Sequence, residues 1–437
     1  MFDIFVTEQS VTFMRKKITP EKKNTRDLIL EAAFSFYSKP CYQDFSMSQL
    51  AAKVGITKTA IYRHYESKEE VILAMQNRFY DLFAARILDL HKAFTDEKTL
   101  YSNENIVDIT NFFVENSQYI NYFISQFAVD PRFENTIRDE LLKRGVNENF
   151  LNCQDEENEM RKYTHSVFRA VSFLFFIKAR EQYYLCQGKK IPDSKNFSEK
   201  LIKFTNSGIS GIFSGNKELK LHDISKERME ELDKYCKVDP SILPEEDKVF
   251  TALATVIAKY NISGVTVEKI ADELNMAKSS LYFYFDNKNQ MIFSLVEKEL
   301  NLLAMLISEN TAEAETYAEH IYITMCTEMN FFLQRKSIIA ICGWLLQTST
   351  ENNFSQNNFS QKRDDEEPNN FWEAKISNPI KEIDLGFSFG PKMLTYWYGI
   401  LPVALVVLSM KHNFSEKKTE DAVRYVFNYV LNGISKK

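Results

Sequence analysis

The 437 residues of the chain are 44% hydrophobic and 26% charged, and their formal net charge is −6. This length and this balance favour several folded domains and exclude a disordered chain, and the negative charge excludes a surface that is basic throughout. The six cysteines form no C-x-x-C pair and no zinc spacing, so we expect reduced thiols, no metal site and no cofactor.

Residues 1–24 are predicted to form a basic N-terminal arm, because Arg15, Lys16, Lys17, Lys22 and Lys23 crowd into its second part. Such an arm can lie along the phosphate backbone of DNA or in the minor groove. Met14 stands directly before this cluster, so the sequence leaves Met1 and Met14 both open as the start of translation. No basic region followed by an apolar stretch is present, which predicts a cytoplasmic protein without a signal peptide.

An internal repeat follows, because residues 25–68 align with residues 245–288 without a gap. In the first window, apolar residues recur at the i, i+3, i+4, i+7 spacing of one helix face, and the second window repeats that stripe. The two stripes are Ile29, Ala32, Ala33 and Phe36, and Val249, Ala252, Leu253 and Val256. A register kept over the whole window predicts the same three helices twice.

Each window divides into a helix, a short helix, a tight turn and a second short helix. Ser46 and Thr266 are predicted N-caps, because their hydroxyls can accept N–H groups of the first turn, and Gln49 would complete a capping box with Ser46. Gly55 and Asn275 occupy the turn, where both residue types tolerate left-handed backbone. This order is typical of a helix-turn-helix.

The segments after the windows have the apolar periodicity of helical bodies. We expect helices near 105–127, 132–144, 157–187 and 196–213 in the first body, and near 313–334, 336–349, 391–411 and 418–434 in the second. The bodies end alike, with Asn-Ser-Gly-Ile-Ser at 206–210 and Leu-Asn-Gly-Ile-Ser at 431–435, which indicates that the whole unit is duplicated. The apolar run 394–410 is short for a bilayer span and contains Pro402, so we expect a core or interface helix and no membrane partner.

The predicted segments in chain order are the arm 1–24, the first helix-turn-helix domain 25–90, the first body 91–215, a linker 216–243 with a charged helical patch, the second helix-turn-helix domain 244–310 and the second body 311–437. Residues 386–390 match the G-x-S-x-G pattern of a serine nucleophile. That motif needs an α/β sheet, and helical sequence surrounds it here. We therefore assign no catalytic residue and predict that the protein is not an enzyme.

The two windows resemble the DNA-binding head of the tetracycline-repressor (TetR) family, which reads I-A-x-x-x-G-V-x-x-x-x-L-Y-x-H/Y-F-x-S-K. The first window reads Leu50-Ala51-Ala-Lys-Val-Gly55-Ile56 and then Ile61-Tyr62-Arg-His64-Tyr65-Glu-Ser67-Lys68. The second reads Ile270-Ala271 and then Leu281-Tyr282-Phe-Tyr284-Phe285-Asp-Asn287-Lys288. The resemblance covers about 90 residues in total and departs from the family where Asn275 replaces the turn glycine.

The resemblance implies an all-α chain of two tandem TetR-like units, each with a helix-turn-helix head and a helical body for ligand binding and dimerisation. In the family, the last two helices pair two subunits, which here implies an intramolecular pseudo-dimer, while a homodimer stays open. The implied function is a ligand-responsive transcriptional regulator that binds double-stranded DNA at a pseudo-palindromic operator. Repression is the family's usual output, but the sequence leaves the operator, the ligand and the sign of regulation open.

A recognition helix presents short polar residues at its N-terminal end to base edges in the major groove. These would be Thr57, Lys58 and Thr59 in the first head, and Lys278, Ser279 and Ser280 in the second. By resemblance, Tyr62, His64, Tyr282 and Tyr284 would contact phosphate or a thymine methyl group, and Lys68 and Lys288 would hold a phosphate at the start of the next helix. Ser46 and Thr266 complete the predicted DNA-binding set. The alternatives are packing against the next helix for Tyr62 and Tyr282, and a surface position without a role for His64.

The two heads differ in charge. Residues 25–68 carry six Lys/Arg and four Asp/Glu, a balance of +2, whereas residues 245–288 carry five and seven, a balance of −2. Because phosphate contacts dominate DNA affinity, we expect the first head to supply most of it. A second head that no longer binds DNA and serves as a scaffold is the alternative.

His165 and Arg169 lie one helical turn apart beside a Phe-rich stripe. They are candidates for holding the polar end of an otherwise apolar ligand. The alternative is the polar edge of a core helix. The aromatic bodies indicate a small hydrophobic ligand and nothing finer.

Overall fold

The computed structural model of the chain describes residues 24–37, 45–93, 103–116, 119–120, 122, 133–151, 159–192, 194–213, 221–241, 243–260, 265–284, 288–339 and 383–435. The basic arm, both candidate start methionines and most of the predicted helix 336–349 lie outside these residues. Within them, nearly all secondary structure is α-helical, so the predicted all-α class is confirmed.

The helices of the first half follow the predicted order. They are α1 (Thr25–Tyr37), α2 (Met47–Val54), α3 (Lys58–Tyr62), α4 (Lys68–Ala93), α5 (Asn103–Glu115), α6 (Phe133–Lys143), α7 (Glu148–Leu151), α8 (Glu159–Cys186) and α9 (Lys195–Ile212).

The second half repeats this order after one additional helix. Its elements are α10 (Lys226–Cys236), α11 (Lys248–Tyr260), α12 (Val267–Glu273), α13 (Lys278–Tyr284), α14 (Lys288–Asn310), a 3-10 turn (Thr311–Glu313), α15 (Tyr317–Gln334), β1 (Ile383–Asp384), β2 (Ser388–Phe389), α16 (Pro391–His412) and α17 (Glu416–Asn432). Ser225, Thr316 and Ser415 begin α10, α15 and α17 by accepting a hydrogen bond from the backbone N–H three residues later.

The described residues divide into two compact units. The first-head unit comprises the described residues up to Ala33 together with Phe45–Met75, and so contains α2, α3 and the start of α4. The main unit comprises the remaining described residues, including both bodies and the second helix-turn-helix.

The core of the main unit is built around α15, which packs against α10, α14, α16 and α17. Every residue from Ile321 to Met329 is buried, because neighbouring helices cover this stretch on all sides. Helix α16 is the one helix in the described chain that is long and apolar enough to cross a membrane. Of its most apolar stretch, 61% is buried inside the protein, as in a core helix.

Helices α8 and α9 of the first body pack against α16 and α17 of the second. At their centre the indole Nε1 of Trp397 donates a hydrogen bond to Ser172 Oγ at 2.9 Å. The rings of Phe176 and Phe204 lie 5.5 and 4.9 Å from the Trp397 ring. A buried aromatic cluster with a satisfied indole N–H therefore joins the two bodies.

The matching chain ends of the two bodies cross at two glycines. Gly208 and Gly433 have φ values of 63° and 74°, with ψ near 180°, a region that is nearly restricted to glycine. A Cβ atom on Gly208 would lie within 3 Å of the Gly433 backbone nitrogen, and one on Gly433 would lie equally close to the Asn206 carbonyl. Beyond the crossing, the Ile434 N–H donates to the Thr205 carbonyl at 3.1 Å.

Helix α10 lies in the predicted linker and packs against α15. Arg228 forms an ion pair with Glu319, with 3.0 Å between Nε and Oε1. At the other end, the Tyr322 hydroxyl donates to Asp233 at 2.6 Å, and Asp233 also pairs with Arg424 of α17. The charged helical patch expected from the sequence is therefore a docked helix.

A β-hairpin with two residues in each strand precedes α16, where the sequence predicts only helical surroundings. Ile383 pairs with Phe389 and Asp384 with Ser388 in antiparallel register. Gly386 closes the turn with φ of 81°, and its N–H donates to Asp384 Oδ1 at 2.7 Å. The strands are too short to produce the two-residue alternation by which a strand is recognised in a sequence.

Candidate nucleic-acid interface

The turn between α2 and α3 of the first-head unit is held by its caps. Ser46 Oγ accepts a hydrogen bond from the Gln49 N–H at 3.2 Å, and Gln49 Oε1 accepts one from the Ser46 N–H at 2.8 Å. The predicted capping box is therefore confirmed. Gly55 has left-handed backbone with φ of 78°, and the Ile56 N–H returns to the Ala51 carbonyl at 3.0 Å. Together these bonds fix the direction in which α3 leaves the turn.

Helix α3 presents a polar surface at its N-terminal end. Thr57, Lys58 and Thr59 are all exposed, whereas Ile61 is fully buried and anchors the helix from behind. Thr57 Oγ1 also accepts the Ala60 N–H at 3.1 Å, so this hydroxyl caps α3 and keeps its proton and one lone pair to offer a ligand. The predicted base-reading residues therefore lie on one accessible tip.

Tyr62 lies on the exposed side of α3. Its exposed fraction is 42%, and the Lys58 Nζ atom lies 5.8 Å from its ring centroid. Among the residues that the structure describes, no carboxylate oxygen lies within 4.0 Å of the Lys58 ammonium nitrogen. The exposure of Tyr62 argues against the alternative in which its ring packs against the next helix. The Lys58 charge, which no described carboxylate pairs with, is available to a ligand.

Tyr65 braces α3 against the start of α1. It is 1% exposed, the Arg26 guanidinium lies 4.7 Å from its ring centroid, and Arg26 also lies 3.6 Å from Glu70. Burial raises the pKa of the Tyr65 hydroxyl above its usual value. His64, its neighbour in the chain, is half-buried.

The start of α4 is capped by Ser67, whose Oγ accepts the Glu70 N–H at 3.1 Å. The Lys68 ammonium lies 5.5 Å from the Phe45 ring centroid, and the next two residues are Glu69 and Glu70. A phosphate at this helix end would gain the free N–H groups and Lys68, but it would also face two carboxylates. The phosphate role of Lys68 stays a prediction.

The second helix-turn-helix has the same local geometry as the first. Thr266 Oγ1 accepts the Lys269 N–H at 3.3 Å, and the Met276 N–H returns to the Ala271 carbonyl at 2.9 Å. Asn275 has φ of 52°, which confirms a left-handed turn without glycine. Tyr282 is 45% exposed, and the Lys278 Nζ atom lies 5.5 Å from its ring centroid.

The electrostatics of the second helix-turn-helix differ from those of the first. Lys278 forms an ion pair with Glu268, and this contact lowers the pKa of Glu268 and raises that of Lys278. Lys259 pairs with Glu273 at 2.8 Å. The charge balance of −2 was predictable from the sequence, but these ion pairs were not, because a sum of charges does not say which groups meet. Ser279 is exposed and Ser280 half-buried, while the side chains of Tyr284 and Lys288 lie outside the description.

The two candidates for ligand binding, His165 and Arg169, lie on α8 of the main unit. Both are half-buried, and the His165 ring lies 5.8 Å from the Tyr429 ring of α17. His165 therefore lies at the contact between the bodies, and its ligand role stays a prediction, as does that of Arg169. A cleft of about 410 Å³ lies elsewhere, where Arg180 and Lys195 face Gly386 of the hairpin. Within the described ranges, no group of three or more His, Cys, Asp or Glu residues is placed to hold a metal ion.

Comparison with known proteins matches both motifs to one family. The family model for bacterial regulatory proteins of the tetR family matches residues 29–75 and 250–295. The uncharacterized HTH-type transcriptional regulator YuxN of Bacillus subtilis is 30% identical over 96 residues, 21% of this chain and 33% of that protein. The uncharacterized HTH-type transcriptional regulator TtgW of Pseudomonas putida is 36% identical over 62 residues, which are 14% of this chain and 46% of that protein. The HTH-type transcriptional repressor SCO4008 of Streptomyces coelicolor is 28% identical over 80 residues, which are 18% of this chain and 42% of that protein.

These similarities span less than half the length of each relative. The two family matches contain both turns and both recognition helices, so the predicted tandem arrangement of heads is confirmed. The family consists of regulatory proteins, and the absence of enzymatic activity stays a prediction for this chain. The chain therefore carries two helix-turn-helix segments that match the DNA-binding domain of the TetR family, at residues 29–75 and 250–295.

Proposed function

We propose that the chain is a DNA-binding transcriptional regulator whose first head supplies most of the affinity for DNA. The observation that carries this proposal is the exposed tip of α3, where Lys58, Thr59 and Tyr62 are accessible. The tip is held by a capped turn and a buried Ile61, so its backbone is preorganised. A short polar and cationic helix tip of this kind suits base edges and phosphates in a major groove.

Both heads belong to one pseudo-dimer in this proposal. In TetR-like proteins the last two helices pair two subunits, and here α8 and α9 pack against α16 and α17 within one chain. The reciprocal crossing of Gly208 and Gly433 supports a pseudo-twofold relation between the bodies. The chain would then bind an asymmetric operator with half-sites about 34–36 Å apart. Docking of the second head would be intramolecular, at an effective concentration of roughly millimolar.

A small hydrophobic ligand is proposed to control DNA binding, with repression as the output. One relative, SCO4008, is named a repressor. A ligand that prefers one arrangement of the bodies would release DNA by its difference in affinity for the two arrangements. The aromatic contact between α8, α9 and α16 supports an apolar ligand, and His165 and Arg169 stay candidates for its polar end.

A second candidate function is a regulator in which only the first head binds DNA. The Lys278–Glu268 ion pair favours this reading, because it engages the Lys278 ammonium group at the tip of α13. Substitution of Lys278 and Tyr282 by alanine distinguishes the two candidates. The scaffold reading expects unchanged DNA affinity and an unchanged footprint, whereas a two-headed regulator loses protection over one half-site.

The double variant Lys58→Ala/Tyr62→Ala tests the proposed function. We expect it to lose specific DNA binding by roughly 100-fold or more, because each contact contributes about 1–3 kcal/mol of recognition. Duplexes enriched from a random-sequence pool by the purified full-length chain would serve as probes in fluorescence anisotropy.

The matched control is Lys190→Ala/Tyr235→Ala, which removes one exposed lysine and one exposed tyrosine from the main unit. This control should bind like the wild type. Wild-type affinity in the Lys58/Tyr62 variant would exclude α3 as the recognition helix.

A further inference from the structure

The two recognition helices place the same two side chains in the same relation. A lysine ammonium lies over a tyrosine ring at 5.8 Å for Lys58 and Tyr62, and at 5.5 Å for Lys278 and Tyr282. What differs is the residue opposite the lysine on the preceding helix. In the gapless alignment, exposed Ser48 of α2 takes the position that Glu268 takes on α12. The first head therefore has a hydroxyl-bearing residue at the position where the second head has the carboxylate that pairs with its lysine.

We propose that Glu268 occupies Lys278 as an internal substitute for a DNA phosphate and thereby sets the DNA affinity of the second head. This inference rests on the proposed function and deepens it, because it names the residue that makes the heads unequal. Glu268 acts through Lys278 and is a positioning residue, whereas Lys278 is the group that would touch DNA.

The ion pair is exposed, which makes the competition reversible. The Lys278 and Glu268 side chains are 44% and 53% exposed, so water and salt reach both. An exposed pair of this kind is weak, and it opens when a stronger anion arrives. A phosphate that displaces Glu268 nevertheless leaves a second anion beside it. The repulsion between these two anions lowers DNA affinity even after the pair has opened.

The pairing persists over the whole physiological pH range. The hydrogen bond with Lys278 lowers the pKa of Glu268, and the same contact raises the pKa of Lys278. Both groups are therefore charged near neutrality, and pH does not release the lysine. The availability of Lys278 to DNA therefore depends on ionic strength and on the residue at position 268.

Asp272 provides a matched control for this proposal. It is exposed, carries the same charge and lies one turn further along α12, where the first head has Ala52. Its substitution by alanine changes the net charge of the head by one unit, as Glu268→Ser does. Only Glu268→Ser frees Lys278 from its partner. The comparison separates the ion pair from a general effect of charge.

The experiment uses the full-length chain with Lys58→Ala/Tyr62→Ala as background, so that binding through the second head is visible. The probe is a fluorescein-labelled duplex of arbitrary sequence and about four helical turns, titrated at several salt concentrations. Glu268→Ser should raise affinity roughly fivefold to tenfold and steepen the slope of log K against log salt by about 0.9, the value for one added phosphate contact. Asp272→Ala should raise affinity by less than half as much on a logarithmic scale and leave the slope nearly unchanged.

Two further variants complete the test. Lys278→Ala added to Glu268→Ser should remove the gain, because the freed lysine is the cause of it. Ser48→Glu in the otherwise wild-type chain should weaken binding by a similar factor, because it installs the same partner for Lys58. Equal gains from Glu268→Ser and Asp272→Ala, or a gain that survives Lys278→Ala, would overturn the inference alone. If the wild-type chain failed to bind any duplex, the proposed function would fail together with the inference.

Discussion

The two turns show how residue chemistry decides local backbone in both motifs. Gly55 and Asn275 adopt left-handed φ values of 78° and 52°, and both were predicted for these positions from residue type alone. Asparagine tolerates this region because its short polar side chain can bond to nearby backbone. The caps Ser46 and Thr266 were predictable for the same reason, since each hydroxyl needs only the backbone three residues away.

Glu328 is a residue whose setting depends on distant parts of the chain. It lies in α15, is 5% exposed, and its Oε2 atom is buried without a hydrogen-bond partner. Gly399 of α16 makes room for it, because a Cβ atom there would lie 2.9 Å from Glu328 Oε1. Burial raises the pKa of this carboxyl well above its usual value. Its position in the sequence carried no sign of this, because helix neighbours alone do not reveal what covers them.

Glu328 should make the stability of the wild-type chain fall as pH rises. An acid with a raised folded-state pKa holds its proton in the folded protein and releases it on unfolding above the ordinary value. Its stabilising contribution is therefore complete at pH below about 4.5 and is lost as pH rises toward the raised value, by up to about 1.4 kcal/mol per pH unit. In Glu328→Gln this dependence should vanish, and the difference in free energy of unfolding between variant and wild type should grow with pH. Urea titrations at a series of pH values measure it.

Glu297→Gln, an exposed glutamate on α14, is the control for this prediction. It should follow the wild-type curve closely. Parallel curves for the wild type and Glu328→Gln from pH 5 to 8 would show that the Glu328 carboxyl is not held protonated by burial.

At the scale of elements, the positions of helices were predictable where a long apolar stripe ran without interruption. The helix expected at 157–187 is α8 (Glu159–Cys186), and that expected at 391–411 is α16 (Pro391–His412). The β-hairpin before α16 was missed, because strands of two residues have no periodicity to detect. Helix α10 was expected as a patch in a linker, but its docking depends on Glu319 and Arg424, which are far away in the chain.

Gly433→Ala should test the crossing of α9 and α17 as a joint between elements. The added Cβ would meet the Asn206 backbone, and the residue would also need a φ of 74°. Overpacking against backbone, together with the strain of a φ/ψ region nearly restricted to glycine, should cost about 2–4 kcal/mol in free energy of unfolding. The measurement is a urea titration of the full-length chain.

Gly188→Ala is the matched control for that variant. Gly188 has φ of 62°, but nothing lies within 4 Å of the position where its Cβ would be. It should cost only about 1 kcal/mol, the strain of the backbone alone. Equal losses in the two variants would mean that the crossing contributes no packing constraint.

At the scale of the whole molecule, the duplication was predictable from the residues themselves, whereas the pairing of its halves was expected only from the family resemblance. The motifs at 206–210 and 431–435 showed that the two bodies end alike. Likeness between segments does not establish that they touch, because contact across more than 200 residues depends on the complete packing of both bodies. Two backbone hydrogen bonds, donated by the N–H groups of Ile434 and Ser435 to the carbonyls of Thr205 and Asn206, join these two ends.

The proposed pseudo-dimer predicts that one chain is the DNA-binding species. The buried faces of α16 and α17 already pack on α8 and α9, so the surface that a TetR-like subunit would use for a partner is covered within the chain. Light scattering should therefore give 51.1 kDa over a roughly hundredfold range of protein concentration, since mass action shifts only associating systems. Titration of an enriched duplex should saturate at one chain per duplex. Twice that mass, or two chains per duplex, would favour a homodimer that uses two copies of the first head, and the pseudo-dimer would have to be given up.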